Sequence, residues 1–479
     1  MTSESQSRER VLWNAIAEAT AASAVMLRDT DVFDEPVAAA ILTALEQTRA
    51  SQPPTAAGLS DLVVAFETLL DALISPEAAG AASIARARAE TAAAASRIAL
   101  RDAALDLAAA LGAVRLAIGA LAEAHVFTLM PAWAEGQAIQ PTSLAHWLGA
   151  TAGPLERAAG RLRAAVAEVN RSPLGAGSLA SFGLAIDREA AARLAGFDGP
   201  VASTIDAVSA TDHLTAALEP AVAASDAIGR LLGELATLLR TDPGSLRLPE
   251  AWLAAPDGGL PQFRPARGLL ALAATPVAIR NDAAAAASLA AAIPYGPAGG
   301  AMDAPLGRAL AALEAARGLA EATSRLLAAL EINRAYLAQR AGRDFTTASD
   351  LAEFLVLDEG IDPASARNIV QMSVRKAMEQ GLEISGITPA MIDASALLVI
   401  GRELGMEIER FGAWLAPRRF LERRAATGAT APAAVRDELE RAKTAALADE
   451  RWRDETVARI AAARAKLERE VSAILTSEG

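Results

Sequence analysis

Apolar and small residues recur at intervals of three and four along most of the chain, the spacing that places them on one face of an α-helix. The segment 105–129 has them at Leu105, Ala108, Ala109, Leu111, Gly112, Leu116 and Ile118. Two further runs, 205–240 and 303–342, are much longer than the average helix of about 11 residues. The pattern therefore predicts an all-α protein built on long, closely packed helices.

Clusters of Pro and Gly interrupt the helical pattern. They lie at 52–54, 131, 172–177, 242–244, 257–261 and 296–300. We expect three domains, which are an N-terminal helical domain at 1–105, a central long-helix bundle at 106–355, and a C-terminal domain of shorter, more charged helices at 356–479.

The composition agrees with this fold class and excludes several functions. Hydrophobic residues, many of them Ala, make up 52% of the 479 residues, and aromatic residues only 4%. Lys and Arg number 45 against 58 Asp and Glu, and the net charge of −13 disfavours a nucleic-acid binder. With no Cys and only 3 His, thiolate catalysis and Cys-ligated zinc are excluded, and we expect neither a metal nor a cofactor.

The sequence predicts neither a membrane span nor a targeting segment. The Ala-rich run 283–293 ends at Pro294 and is shorter than the roughly 20 apolar residues of a spanning helix. Residues 1–13 contain charged and hydroxyl side chains but no apolar run typical of a signal peptide. We therefore expect a cytoplasmic protein.

Three stretches between residues 170 and 199 are more specific. They read Asn170-Arg171-Ser172-Pro173-Leu174-Gly175-Ala176-Gly177, Ile186-Asp187-Arg188-Glu189 and Gly196-Phe197-Asp198-Gly199. Two later stretches, 350–355 and 424–432, follow in the same order. Together they closely resemble the corresponding runs of the argininosuccinate lyase family, within the fumarase/aspartase superfamily.

The resemblance implies a fold, an assembly and a reaction. Subunits of that family are all-helical with three domains, their central helices form the core of a tetramer, and three subunits build each active site. The family eliminates an amine or guanidine from an N-substituted succinate and releases fumarate. A small anionic substrate, and a homotetramer or a hetero-tetramer with a paralogue, are therefore expected.

The first family motif, Gly-Arg-Ser-Arg-Asn-Asp, holds the dicarboxylate and matches residues 85–90. Arg86 and Arg88 are retained, whereas the Ser and Asn donors are absent. The resemblance predicts that both Arg side chains bind a substrate carboxylate. Surface ion pairs with Glu90 and its neighbours are an equally open alternative.

The second family motif, Thr-His-Leu-Gln after a Met-Pro, matches residues 134–137. Glu135 stands at the His position and Gln137 at the Gln position. A carboxyl group in a desolvated pocket can transfer protons, so Glu135 is a predicted catalytic residue and Gln137 a predicted substrate ligand. His146 matches a further family His, and we expect it to have a packing role.

The third family motif is a mobile loop with a catalytic Ser, a Lys and an Asn, and it matches residues 255–265. Asp257 lies near the Ser position and is a predicted base, although an Asp-Gly-Gly turn is also ordinary loop chemistry. Arg264 occupies the Lys position and is a predicted anion ligand. In the fourth motif only Tyr295 remains, as a predicted substrate ligand.

Two functions are compatible with a retained scaffold and altered motifs. The chain is either a diverged carbon–nitrogen lyase acting on another N-substituted succinate or related amino acid, or a non-catalytic homologue serving as a structural or regulatory subunit of a tetramer. Losses at every motif favour the second function. Replacement of lost groups by other ionisable residues favours the first, which is our primary hypothesis.

Overall fold

Helices make up most of the computed structural model, which describes residues 3–56, 58–84, 86–256 and 258–477. In chain order the first are α1 (Ser3–Asp29), α2 (Glu35–Ala50), α3 (Leu59–Leu73), α4 (Pro76–Ile84), α5 (Arg88–Ala124), α6 (Leu144–Gly149), α7 (Ala152–Val169), α8 (Arg188–Leu194), α9 (Thr204–Ser209) and α10 (Asp212–Thr241). The others are α11 (Arg267–Ala291), α12 (Asp303–Ala328), α13 (Arg334–Ala341), α14 (Ala348–Leu357), α15 (Pro363–Glu379), α16 (Pro389–Ile400), α17 (Ile408–Leu415), α18 (Pro417–Arg423) and α19 (Pro432–Ser477).

Short strands and 3₁₀-helices complete the described elements. The strands form two antiparallel pairs, β1 (Leu129–Ala134) with β2 (Gln137–Ser143) and β3 (Leu246–Arg247) with β4 (Glu331–Ile332). The 3₁₀-helices are Glu250–Trp252, Gly299–Met302 and Ile384–Gly386.

The long helices α5, α7, α10, α11 and α12 pack side by side as a bundle. The buried faces of α5 and α12 are rich in Ala, which lets neighbouring helices approach closely. The helices α10 and α11 lie close together at Gly229, where a Cβ would come within 2.7 Å of Cγ of Pro276. The bundle therefore depends on small residues at its helix contacts.

Three separate apolar clusters lie inside the described chain, and the smallest consists of Ala176, Ala207 and Val208. The main core runs from α1 to α12 and includes Ile460 and Ile474 of α19, which packs against α5. The second cluster is confined to residues 351–411. The expected boundaries at 105 and 355 fall inside α5 and α14, and the division into three domains stays a prediction.

The predicted all-α class is confirmed. The hairpin β1–β2 is the largest non-helical element among the described residues. Glu135 and Gly136 form the hairpin turn with φ of +50° and +80°, as in two-residue type I′ turns. Pro131 lies opposite Pro141 in the two strands. Since Pro is poorly suited to strands, the sequence gives little indication of this hairpin.

Two predicted long helices are each interrupted. The run 205–240 divides between α9 and α10, and the run 303–342 ends its first helix at Ala328 before β4 and α13. The side chain of Asn333 caps α13 by accepting the N–H of Tyr336 at 3.2 Å. Neither interruption contains Pro or Gly, so the sequence offered no breaker signal there.

By length and composition, α5 could cross a membrane, and among the described residues it is the one helix that could. Half of its most apolar stretch is buried inside the protein. Arg101 of α5 is fully buried and donates from Nη1 to Oδ1 of Asn170 at 3.1 Å. These properties identify α5 as the core helix of the bundle.

The contact between α10 and α11 generates a stability prediction. Gly229→Ala places a methyl group against Pro276 and should lower the free energy of unfolding by about 1–3 kcal/mol. Gly233→Ala, one turn later in the same helix, meets nothing within 4 Å and should raise it by about 0.5–1 kcal/mol. Thermal and denaturant unfolding of both variants measure the difference, and equal effects would contradict the close approach.

Candidate active site

The predicted site residues lie at the two ends of the bundle. With 37 residues, α5 is about 55 Å long. Arg86 and Arg88 lie at its amino end, whereas Glu135 and Gln137 lie in the hairpin that follows its carboxyl end. A cleft that joins Glu135 to either Arg within one subunit is therefore ruled out.

The helix α11 separates the remaining residues in the same way. Arg264 precedes this 25-residue helix and Tyr295 follows it, so about 37 Å lies between them. The 3₁₀-helix after Tyr295 packs on α3 and precedes Asp303, whose Oδ1 accepts the Ser60 N–H at 2.9 Å. Tyr295 therefore shares an end with Arg86 and Arg88.

Arg264 lies at the hairpin end. Asp242, at the end of α10, accepts from Nε of Arg340 at 2.8 Å, and the Arg340 guanidinium lies 5.7 Å from the ring centroid of Trp133 in β1. The antiparallel helix α11 begins at this end of α10. We call Arg86, Arg88 and Tyr295 the amino-end half-site, and Glu135, Gln137 and Arg264 the hairpin half-site.

Ion pairs already hold the three predicted Arg ligands. Arg86 lies 2.6 Å from Asp71, Arg88 lies 2.5 Å from Glu67, and Arg264 lies 2.5 Å from Glu250. A substrate carboxylate would have to displace or share these pairs. The surface ion pairs considered from the sequence thus form, but with partners other than Glu90.

The other predicted residues are exposed or lie outside the described chain. Glu135 and Gln137 are exposed at the hairpin tip, and Tyr295 is 88% exposed. Asp257 lies outside the described residues. His146 pairs Nδ1 with Thr142 Oγ1 at 2.9 Å and Nε2 with the Gly428 carbonyl at 3.1 Å, as expected for a packing role.

Glu90 is a buried acid that the sequence analysis treated only as an ion-pair partner. Its side chain contacts the loop 172–177 and accepts the Gly177 N–H at 2.7 Å. Burial raises the pKa of Glu90 to about 7, against the effect of backbone donors in residues 175–177 and of Arg188. The carboxyl group of Glu90 therefore holds the loop at the first turn of α5.

Arg188 also binds the loop 172–177. Its guanidinium donates to the Leu174 carbonyl at 3.2 Å and to the Val201 carbonyl at 2.8 Å. Gly175 and Gly177 have φ of +75° and +64°, which turns their N–H groups toward one anion. A Gly-x-Gly stretch and one distant acid are the sequence signals that could have identified this arrangement.

Within one described chain, the predicted site residues remain in two separate groups. The amino-end half-site offers cations and a phenol, and the hairpin half-site offers a carboxyl, an amide and another cation. No three His, Asp or Glu side chains among the described residues are placed to hold a metal ion.

Comparison with known proteins gives consistent relatives. A family model described as "Lyase" matches residues 1–249. The argininosuccinate lyase of Methanoculleus marisnigri is 29% identical over 430 residues, 89% of this chain and 86% of that protein. The argininosuccinate lyase of Natronomonas pharaonis is 30% identical over 393 residues, 81% of this chain and 76% of that protein.

A solved structure agrees over nearly the whole chain. An EDDS lyase variant with bound fumarate superimposes with a TM-score of 0.87 and 25% identity, covering 98% of this chain and 93% of that one. A fumarate lyase from Mesorhizobium sp. BNC1 has a TM-score of 0.72 at 18% identity, over 92% of this chain and 99% of that one, which supports the fold.

The Glu90 carboxyl generates a pH prediction. Its pKa is raised from a usual value of 4.5 to about 7, so the folded protein keeps a proton that the unfolded chain releases. This stabilisation is complete below pH 4.5 and is lost as the pH rises through about 7. The unfolding free energy should fall by about 3 kcal/mol across this window.

Glu90→Gln should remove that component of the pH dependence, because the amide does not titrate. Glu234→Gln, at an exposed position of α10, is the matched control and should leave the pH dependence unchanged. Denaturant unfolding between pH 4 and 8 provides the measurement. Parallel pH profiles for the parent protein and Glu90→Gln would show that folding does not raise the pKa of Glu90.

Proposed function

Because the chain belongs to the argininosuccinate lyase family, we propose that it is a carbon–nitrogen lyase that releases fumarate from an N-substituted succinate. The likeness to an EDDS lyase over 98% of the chain carries this proposal, since that structure holds fumarate. A base takes a proton from the carbon beside one carboxylate, and its electron pair forms the C=C bond. The C–N electrons leave with the amine, which takes up a proton.

The proposed roles follow from the charge of each half-site. Arg86 and Arg88 bind one substrate carboxylate, and Arg264 binds the other. Glu135 is the proton-transfer group of the hairpin half-site, and Asp257 is its proposed partner in acid–base chemistry. Gln137 and Tyr295 complete the site as hydrogen-bonding ligands of the substrate.

The exposed face of α11 supports assembly of the subunits. Leu270, Ala274, Val277 and Ala284 share one face and are solvent-exposed in the single chain, with Leu270 53% and Val277 63% exposed. An apolar stripe on a central helix favours burial against a partner. We propose a homotetramer, or a hetero-tetramer with a paralogue, in which antiparallel neighbours bring opposite half-sites together.

The substrate is proposed to differ from argininosuccinate. The family's catalytic Ser has no counterpart in the matching loop, and Ala134 and Glu135 replace its Thr and His. A cytoplasmic role in amino-acid metabolism fits a substrate of this class. The non-catalytic alternative is not favoured, because the relatives that match most of the chain are named as lyases.

The substrate proposal is tested with a panel of N-substituted aspartates. Fumarate release should be seen by ultraviolet absorbance with at least one of them, at an ordinary enzymatic rate of roughly 1–1000 per second. Argininosuccinate should react slower by several orders of magnitude, because its usual base and donor positions are changed. Rapid turnover of argininosuccinate would refute the altered specificity, and inactivity on the whole panel would refute the lyase proposal.

Mixing of inactive variants tests the composite site. Arg88→Ala and Glu135→Gln should each abolish turnover but leave assembly intact. If each site takes its halves from different subunits, a refolded equal mixture should recover about a quarter of the parent activity. Steady-state fumarate release and light scattering are the measurements.

The control mixture combines Arg86→Ala with Arg88→Ala, which damage the same half-site and should show no recovery. Val277→Glu places a charge in the apolar stripe of α11. When it is added to both Arg88→Ala and Glu135→Gln, the mixture should neither assemble nor recover activity. Full activity of a stable monomer would contradict the composite site.

A further inference from the structure

The hairpin β1–β2 carries the proposed proton-transfer group at its turn, and its strand pairing is irregular just before that turn. Ala132 lies opposite Gln140 and Trp133 lies opposite Ala138, so one extra residue of β2, Ile139, bulges between these pairs. A β-bulge interrupts the ladder of hydrogen bonds and bends the strand. The direction of the hairpin tip therefore depends on contacts from outside the hairpin.

The turn itself has an uncommon backbone conformation. Glu135 has φ of +50°, in the left-handed region that Glu adopts rarely, and type I′ turns favour Asn, Asp or Gly at this position. Such a conformation costs free energy and persists where the surrounding structure holds it. We therefore examined which element supports the strand residues beside the turn.

The helix α13 supplies such a contact through Arg340. The Arg340 guanidinium lies 5.7 Å from the ring centroid of Trp133, two residues before Glu135, and α13 packs on both strands of the hairpin. At this distance a guanidinium is attracted to the face of an aromatic ring. The Arg340 side chain is only 18% exposed, so water screens the attraction in part. Arg340 thus holds the strand that leads into the Glu135 turn.

A buried acid at the end of a bundle helix holds Arg340 in turn. Nε of Arg340 donates to Oδ1 of Asp242 at 2.8 Å, and the Tyr336 hydroxyl donates to the same oxygen at 3.2 Å. Asp242 directly follows α10 and is 1% exposed. A hydrogen bond between a guanidinium and a carboxylate is strong and directional. Asp242, Arg340 and Trp133 therefore connect the bundle to the hairpin tip.

Close packing fixes α13 against the end of α10. A Cβ at Gly244 would come within 2.8 Å of Cε2 of Tyr336, and the Asn333 N–H donates to the Ser245 carbonyl at 2.9 Å. The strands β3 and β4 pair beside these contacts. The bundle thus sets the position of Arg340 independently of the hairpin.

We propose that Arg340 is a positioning residue of the lyase site, which acts through the ring of Trp133 to fix the direction of the Glu135 carboxyl group. The assignment rests on the proposed function, in which Glu135 transfers a proton. A misplacement of about 1 Å at a reacting group can lower a rate about a hundredfold. Arg340 has no proposed contact with the substrate, so its loss should slow the chemical step without weakening substrate binding.

Steady-state kinetics of fumarate release test this positioning role. Arg340→Gln should lower kcat by about ten- to a hundredfold and change KM by less than about threefold, because the proposed Arg ligands still bind both carboxylates. A raised KM at unchanged kcat would place Arg340 in substrate binding and overturn the proposal.

Arg410→Gln is the matched control. Arg410 also combines an aromatic contact with an ion pair, since it lies 5.7 Å from the ring centroid of Phe354 and 3.0 Å from Asp358. Phe354 belongs to the second apolar cluster and not to the hairpin, so this variant should leave kcat unchanged. Equal losses of kcat in Arg340→Gln and Arg410→Gln would indicate a general loss of folded protein and overturn the proposal.

Trp133→Leu tests the same contact from its other side. It removes the ring and keeps the pair between Arg340 and Asp242, so it remains informative if Arg340→Gln fails to fold. Its kcat should fall by the same factor, and the double variant should be no slower than either single variant, because both changes break one contact. Unchanged kcat in Trp133→Leu, or multiplied losses in the double variant, would overturn the proposal.

Hydrogen exchange separates this inference from the lyase function, because it requires no turnover. Backbone amides at 132–140 should exchange about tenfold faster in Arg340→Gln than in the parent protein, while those of α5 stay protected. Faster exchange at the hairpin of a protein that releases fumarate from no N-substituted aspartate would refute the lyase function and retain the role of Arg340 in fixing the hairpin. Unchanged exchange at the hairpin of a protein that does release fumarate would retain the lyase function and overturn the role of Arg340.

Discussion

The buried guanidinium of Arg101 connects the segments on which the rest of the fold depends. It is fully buried in α5, donates to Asn170 and to the carbonyls of Ala195 and Gly196, and lies 5.3 Å from the ring centroid of Phe197. Nε of Arg101 lies 3.0 Å from Asp102, which also pairs with Arg464 of α19 at 2.7 Å. A buried cation is tolerated only when it is paired and hydrogen-bonded. The charge of Arg101 thus fixes the loop 170–199 and the last helix to the core.

The length of the central helices then limits which residues one subunit can bring together. A helix of 37 residues fixes its ends about 55 Å apart, and no loop motion within the chain can join them. In the proposed function, the cations at the amino end and the carboxyl group at the hairpin end therefore serve as complementary halves of a site. If antiparallel neighbouring subunits complete each site, assembly accounts both for the distance between the two half-sites and for the exposed apolar face of α11. Assembly would then be a condition of catalysis and not only of stability.

Part of this organisation could be read from the sequence and part could not. Helical periodicity predicted the long helices, because the spacing of apolar residues is local information. The break after Ala328 and the hairpin at 129–143 were missed, since Asn333 and a Glu135-Gly136 turn between Pro-containing strands are weak local signals. The sequence placed Glu90 only in one of two alternatives, as a surface ion-pair partner of Arg86 and Arg88. In the fold, Arg86 pairs with Asp71 and Arg88 pairs with Glu67, while the Glu90 side chain is buried and accepts the Gly177 N–H. These pairings depend on contacts between distant segments of the chain, which the spacing of residues in the sequence does not predict.

Unpaired buried polar atoms occur at both ends of the bundle. Among the described residues, Nη1 of Arg86, Nε of Arg97 and both nitrogens of His213 lack partners at the amino end, and Nε1 of Trp133 and Oδ2 of Asp242 lack them at the hairpin end. Each such atom destabilises the isolated subunit, because its hydration is lost without replacement. A fold optimised for stability alone would have apolar groups at these positions. Donors and acceptors retained near both half-sites agree with the proposal that a second subunit and a substrate complete the site, although other unpaired atoms, such as Nη2 of Arg115, lie away from both half-sites.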